Sequence, residues 1–412
     1  VAMSGGTVTE LDGGTINTMT AGTVGTLTSG EIVTMNNGRV DTMAGGKITT
    51  LNDGKIGIAT GGTIAGMKGG EIENLDGANV ETITAGKITE MNSGNIDYMS
   101  GPTEISHMKG GSIGSMTNGT ITTMDGGRIT SMTGGMIDAF NVGAEIISLN
   151  NGLIQNFNGG TIGNWVRGTI TNVNSGTISR LGVDNLVSNM IGGIIASMTG
   201  GEITTMNGGT VNLATGGTIG SLNVGATINT VDGATITNFN NGTIGDWISG
   251  VITNLNSGII DLVQNNNTVT NMKGGTVTSM TGGNIGTLSA GDLLSMTGGT
   301  LNLATGGVIG SFNTGATINT LNGATISEFN GGNLGTWTSG VITNLNSGTI
   351  ALVKANNTIP NMRCGTVTSM TGGNIGTIFD GDMLSLSGGI LNLSSGGTIG
   401  SFKTGSKMNK PD

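Results

Sequence analysis

Along almost the whole chain a branched aliphatic residue returns every eight positions, and a larger apolar residue follows it three places later. The first column runs Val8, Ile16, Val24, Ile32, Val40, Ile48 and Ile56 and continues to Ile399; the second opens Leu11, Met19, Leu27, Met35, Met43 and Leu51. Gly stands two residues before the branched position, as at Gly6, Gly14, Gly22, Gly30 and Gly38. The unit is therefore Gly-x-(Ile/Val)-x-x-(Met/Leu)-x-x. Of the 22 Met residues, 19 stand in the second column, with nine of the ten Phe and Trp residues; only Phe379 falls outside it. Large apolar side chains confined to one column predict that this column faces a core. Trp165, Trp247 and Trp337 are accordingly expected to be almost fully buried.

A period of eight matches no helix, and a Gly in every unit opposes helix by about 1 kcal/mol each. Thr, Ile and Val around the first column favour extended chain. Two inward columns at an odd spacing cannot share one straight strand, so a kink must lie between or beside them. The NG, NN, DG, SG and GG pairs that close the units supply residues tolerant of positive φ. Each octad reads as one short strand and one bend. Pairing between layers about 4.8 Å apart satisfies the backbone. The predicted fold is all-β, an octapeptide-repeat β-helix.

The period has exceptions. Nine-residue units occur at Ile96–Ile105, Ile137–Ile146, Ile178–Val187, Ile219–Ile228, Ile260–Val269, Ile309–Ile318 and Ile350–Ile359. They recur at every fifth unit, except once where a sixth intervenes. They divide the chain into a uniform, more charged shaft over 1–96, a shaft with long units over 97–402, and a tail over 403–412. A longer duplication is superposed: the stretch beginning at Asn212 returns at Asn302. Two β-helices compete. A lone chain could coil with two or three octads per turn, or three identical chains could wind together, each giving one octad to every layer. Five, the spacing of the long units, is divisible by neither two nor three. In a lone coil each extra residue would fall on a different face; in a trimer all three faces receive it together. This argument favours an intertwined homotrimer, with the single-chain β-solenoid as the alternative.

Octapeptide repeats of Gly and branched aliphatic residues resemble the triple-stranded β-helix shafts of bacteriophage tail fibres and cell-puncturing needles. The likeness covers almost the whole chain through period and residue class. The phage needle octad places its Gly after the valine; here Gly stands two residues before the Ile or Val, and a Met column is added.

Composition narrows the chemistry. Gly accounts for 81 of 412 residues, Pro for 3 and Cys for 1, which excludes collagen and a disulfide scaffold. The net charge of −10 is spread thinly and no basic run appears, so no nucleic-acid partner is expected. No run of 18 apolar residues predicts membrane insertion. Asp and Glu are scattered singly through the octads, which suits a solvated surface better than a paired-carboxylate glycosidase. The Gly doublets resemble phosphate loops only superficially, because no helix follows to bind the anion. Thr7, Thr9, Thr169 and Thr171 suggest outward Thr rows of the ice-binding kind, but Asn17, Gly25, Glu31, Val33 and Arg39 interrupt them. Glu31, Arg39, Lys47 and Lys55 follow one another in outward positions and are expected outside on adjacent layers, where the Glu31–Arg39 contact could be made between chains. His107 reads as a lone surface residue and Cys364 as a replacement for a Gly. Accordingly no catalytic, cofactor-binding or metal-binding residues are assigned, and no enzyme activity is expected.

The expected role is a rigid fibre shaft in a virion, as a phage tail or capsid fibre. A prokaryotic extracellular filament or adhesin stalk is the alternative, and an ice- or carbohydrate-binding surface a reading of another class. Expected partners are further copies of the chain and other virion or filament subunits at the ends.

Overall fold

The computed structural model describes residues 1–409; positions 410–412 of the 403–412 tail lie outside the described residues. The described residues form 35 β-strands and no helix. They divide into two compact units, Val1–Asn212 and the described residues from Leu213 onward. Each is a parallel β-solenoid.

In the first unit Ile16 pairs with Ile32, Ile32 with Ile48 and Ile48 with Ile64. The intervening octads form a separate ladder, Val24 with Val40, Val40 with Ile56 and Ile56 with Ile72. The second unit repeats the rule, with Ile228 on Ile244 and Ile236 on Ile252. Partners stand two octads apart along the chain, so one coil holds two octads and successive octads lie on opposite faces. This is the single-chain form. Both columns point inward, and the chain bends between them at residues such as Asn17 and Val33, which the register pairs skip.

The nine-residue units leave both columns intact, and the reason is local. Six of the seven extra residues are absorbed at a corner by a four-residue turn closed by an amide; at the first, the Thr103 hydroxyl takes that place and donates to the Ser100 carbonyl at 2.8 Å. The Ala144 amide donates to the Asn141 carbonyl at 3.2 Å, Asn185 to Gly182 at 3.3 Å, and Asn267 to Gln264 at 3.0 Å. The pairing offset lengthens there by one, as in Ile129 with Ile146 and Ile260 with Val277, and the columns stay aligned. The fourth turn residue swings inward, so that Thr103, Ala144, Asn185, Ala226, Asn267, Ala316 and Asn357 are all buried. An extra residue in a lone coil therefore displaces no column, which removes the objection to spacing by five units. The long duplication spans an odd number of units, so equivalent residues such as Trp247 and Trp337 stand on opposite faces of the second unit.

The core explains the Met column. The Met19 methyl lies 2.7 Å from where a Cβ on Gly38 would fall, and Met67 stands in the same way 2.6 Å from Gly86. A flexible, unbranched side chain reaches into the next coil's corner and fills the space that Gly leaves. Phe157 does this at Gly176 and Phe239 at Gly258. Second-column residues from Met19 to Met132 are fully buried. Phe402 departs from the rule at 51% exposure, because no further coil among the described residues covers it.

Candidate functional site

Among the described residues, the ladder is missing on one face at three steps. The strand Thr161–Val173 pairs through Ile162 with Ile146 and through Ile170 with Val187, whereas Thr177–Leu181 pairs only onward, with Ile194–Met206. The same gap separates the first half of Thr243–Ser257 from Ile259–Val263. It recurs between Asn333–Ser347 and Thr349–Val353. The strand before each gap carries a Trp in its second column: Trp165, Trp247 and Trp337. An indole needs more room than the Met or Leu that fills this column elsewhere, and the wall opens beside it.

The expected burial of the three indoles holds, with exposures of 7%, 6% and 5% for Trp165, Trp247 and Trp337. Trp247 and Trp337 are more than filler, however, since they also wall openings. The slot at Trp247 has a volume of about 400 Å³ and is lined by Ile244, Asp246, Ile260, Asp261 and Leu262 among others. Its counterpart at Trp337, about 200 Å³, is lined by Leu334, Thr336, Ile350, Ala351 and Lys354. The indole N–H groups of Trp165 and Trp337 are buried and make no hydrogen bond to the described residues.

The corner Asn residues complete this arrangement. At an ordinary step the second-column carbonyl accepts an amide from the next coil, as when Asn36 donates to Met19 at 2.9 Å. Across the gap a side chain takes that place: Asn185 Nδ2 donates to the Trp165 carbonyl at 3.3 Å and Asn267 Nδ2 to the Trp247 carbonyl at 3.2 Å. Asn267 Oδ1 also accepts the Gln264 amide at 2.7 Å, and Asn357 Oδ1 accepts that of Lys354 at 2.6 Å. Reading the sequence alone misses this constellation. Its signal is a Trp paired at constant separation with an Asn inside the following nine-residue unit, at 165/185, 247/267 and 337/357.

The charged residues lie outside as expected, but their neighbours differ. Glu31 aligns with Lys47 and Arg39 with Lys55, because adjacent octads occupy opposite faces. Within the chain Glu31 and Arg39 are thus not neighbours, and other pairs form. Arg39 pairs with Asp41 and, at 3.5 Å, with Glu73; Lys55 reaches Glu73 at 2.6 Å and Glu71 at 3.3 Å. The hydrogen bond from Lys55, more than the charge of Arg39, holds the Glu73 carboxyl below the usual carboxylate range. His107 is not solitary: its Nε2 lies 2.5 Å from Asp125 Oδ2, and Asn141 donates to the other oxygen at 2.6 Å. His107 first, then Asn141, hold the Asp125 carboxyl below its ordinary value. Cys364 is exposed and free. Thr7 and Thr9 are exposed, Thr169 and Thr171 half-buried.

Much of the remaining surface amide is tied from coil to coil. Asn172 donates to Asn156 at 3.0 Å, Asn189 to Asn172 at 3.4 Å and Asn207 to Asn189 at 3.1 Å. A second ladder joins Asn256 to Asn240 and Asn240 to Asn223, each at 2.9 Å. Among the described residues no group of three or more His, Cys, Asp or Glu side chains could hold a metal ion. Nor is any helix among them long and apolar enough to cross a membrane. Comparison with protein-family models and with curated proteins finds no match to this chain.

Proposed function

We propose that this chain is a structural shaft, a rigid spacer in a virion fibre or in an extracellular filament or stalk. The observation that carries the reading is where the outward polar groups are spent. Asn side chains bond to Asn one coil away, and Lys55 and Arg39 reach carboxylates across coils. A surface built this way stiffens the stack, and stiffness along the ladder is what a spacer requires. Because the strands are already paired within the chain, association with further copies is lateral, between finished coils, rather than by exchange of strands. Cryo-electron microscopy of particles and filaments from the producing organism, with an antibody to the chain, tests this. Labelled fibres on a virion, or on the cell surface for the filament alternative, are expected. A chain found only free inside cells would overturn the proposal.

A further inference from the structure

We propose that the gap at Trp247 is an insertion site for an extended basic peptide segment of a partner protein, which adds a strand between Thr243–Trp247 and Ile259–Val263. The main-chain groups along both lips lack the ladder partners that every neighbouring step possesses. The two lips come within 8 Å at a few Cα pairs but form no ladder pair, and the slot between them has a volume of about 400 Å³. Admitting one more strand requires the lips to part to roughly 9.6 Å, two ladder spacings, so the segment enters by spreading a step that no ladder pair holds shut. The missing occupant must supply alternating donors and acceptors at strand spacing, and a backbone does so while a compact solute does not.

The slot is bounded at both ends. The Asn241 amide donates to the Ser257 carbonyl at 3.2 Å and the Gly250 amide to the Asn266 carbonyl at 3.3 Å. An inserted segment is therefore short, matching the strand Ile259–Val263, with its flanks leaving outward. Side chains around the opening set its chemistry. Ile248, Ile259 and Leu262 are exposed at 52%, 63% and 37%, an apolar rim where outward positions are otherwise mostly polar. Asp246 and Asp261 line the slot, and neither carries an ion pair among the described residues. Apolar residues alternating with Lys or Arg match both features. The duplicated slot at Trp337 is a built-in control: it has the same gap, but Thr336, Ala351 and Lys354 stand where Asp246, Asp261 and Gln264 stand in the first. This proposal is independent of the shaft reading.

The test uses the full chain, hydrogen exchange read by mass spectrometry, and the peptide acetyl-Lys-Val-Lys-Val-Lys-amide. The peptide should slow exchange of the Ile259–Val263 amides, with half-protection at a concentration at least tenfold lower than for Thr349–Val353. The double substitution Asp246→Asn, Asp261→Asn, at exposed positions, should weaken protection at least tenfold. Backbone N-methylation of alternate peptide residues should abolish it. Absence of protection, equal protection at both slots, or persistence with the N-methylated peptide would overturn the proposal. So would free arginine acting at the same concentration as the peptide, which would indicate a small-cation pocket instead.

Discussion

Two residue types define this repeat, and each depends on the other. Gly46 sits at φ 68°, where a side chain costs about 1–2 kcal/mol. A Cβ there would also stand 2.4 Å from the Gly30 carbonyl oxygen. Gly46→Ala should thus destabilise the first unit by more than the conformational penalty alone, about 2 kcal/mol or above. Chemical denaturation checks it; a loss within error would mean that the corner shifts freely. Titration offers a second test at this scale. Asp125 has a lowered pKa in the folded chain, so its contribution is complete above the unfolded value of about 3.9 and is lost as pH falls through the lower folded value. Asp125→Asn should therefore flatten part of the fall in melting temperature as pH drops below about 4, while changing little at neutral pH. The effect is small, because the pair is largely exposed and screened by solvent. An unchanged acid limb would show that the His107 contact contributes nothing.

At the scale of the strand, the determining quantity is the size of the second-column residue. Met, Leu and Phe are accommodated in a closed ladder, and at the three Trp positions the wall opens. Trp247→Met should let Ile259–Val263 approach Thr243–Trp247 and form the missing pairs. The expected outcome is slower hydrogen exchange across Ile259–Val263 without loss of β-sheet circular dichroism. Faster or unchanged exchange would place the cause of the gap in the corner at Gln264–Asn267. That corner is an element-scale device of its own. Asn185 and Asn267 supply donors to carbonyls that the interrupted ladder leaves unserved, whereas Ala144, Ala226 and Ala316 occupy the equivalent corner where no Trp gap stands beside it. A buried amide at those Ala positions would lack this partner.

At the scale of the whole molecule, each unit is a stack in which a coil touches chiefly its neighbours, so coils are additive. Deleting positions 47–62, one complete coil, rejoins Gly46 to Thr63 in register. That variant should keep its circular dichroism spectrum and lose only a few degrees of melting temperature, roughly the stability of one repeat. Deleting positions 47–50 instead throws both columns out of phase, and should abolish cooperative unfolding. Equal behaviour of the two variants would contradict a coil of two octads. Thermal melts followed by circular dichroism distinguish these outcomes.

The period, the inward columns and the burial of the three Trp residues were legible in the residues themselves, because a repeat writes its local pattern again in every unit. Inside and outside follow from where Met, Phe and Ile recur, and corners follow from Gly. The number of octads per coil was not legible, since pairing with the next octad but one and pairing between chains impose the same local pattern. Tertiary structure decided it, by absorbing each extra residue in a corner turn rather than in a strand. The ion pairs followed that decision: with successive octads on opposite faces, Arg39 and Lys55 share one face and meet at Glu73, leaving Glu31 on the other. The slots were hidden for the same reason. A Trp reads as one more core residue in a column, and only the facing strand, a full coil further along the chain, reveals that the column there is too narrow to close.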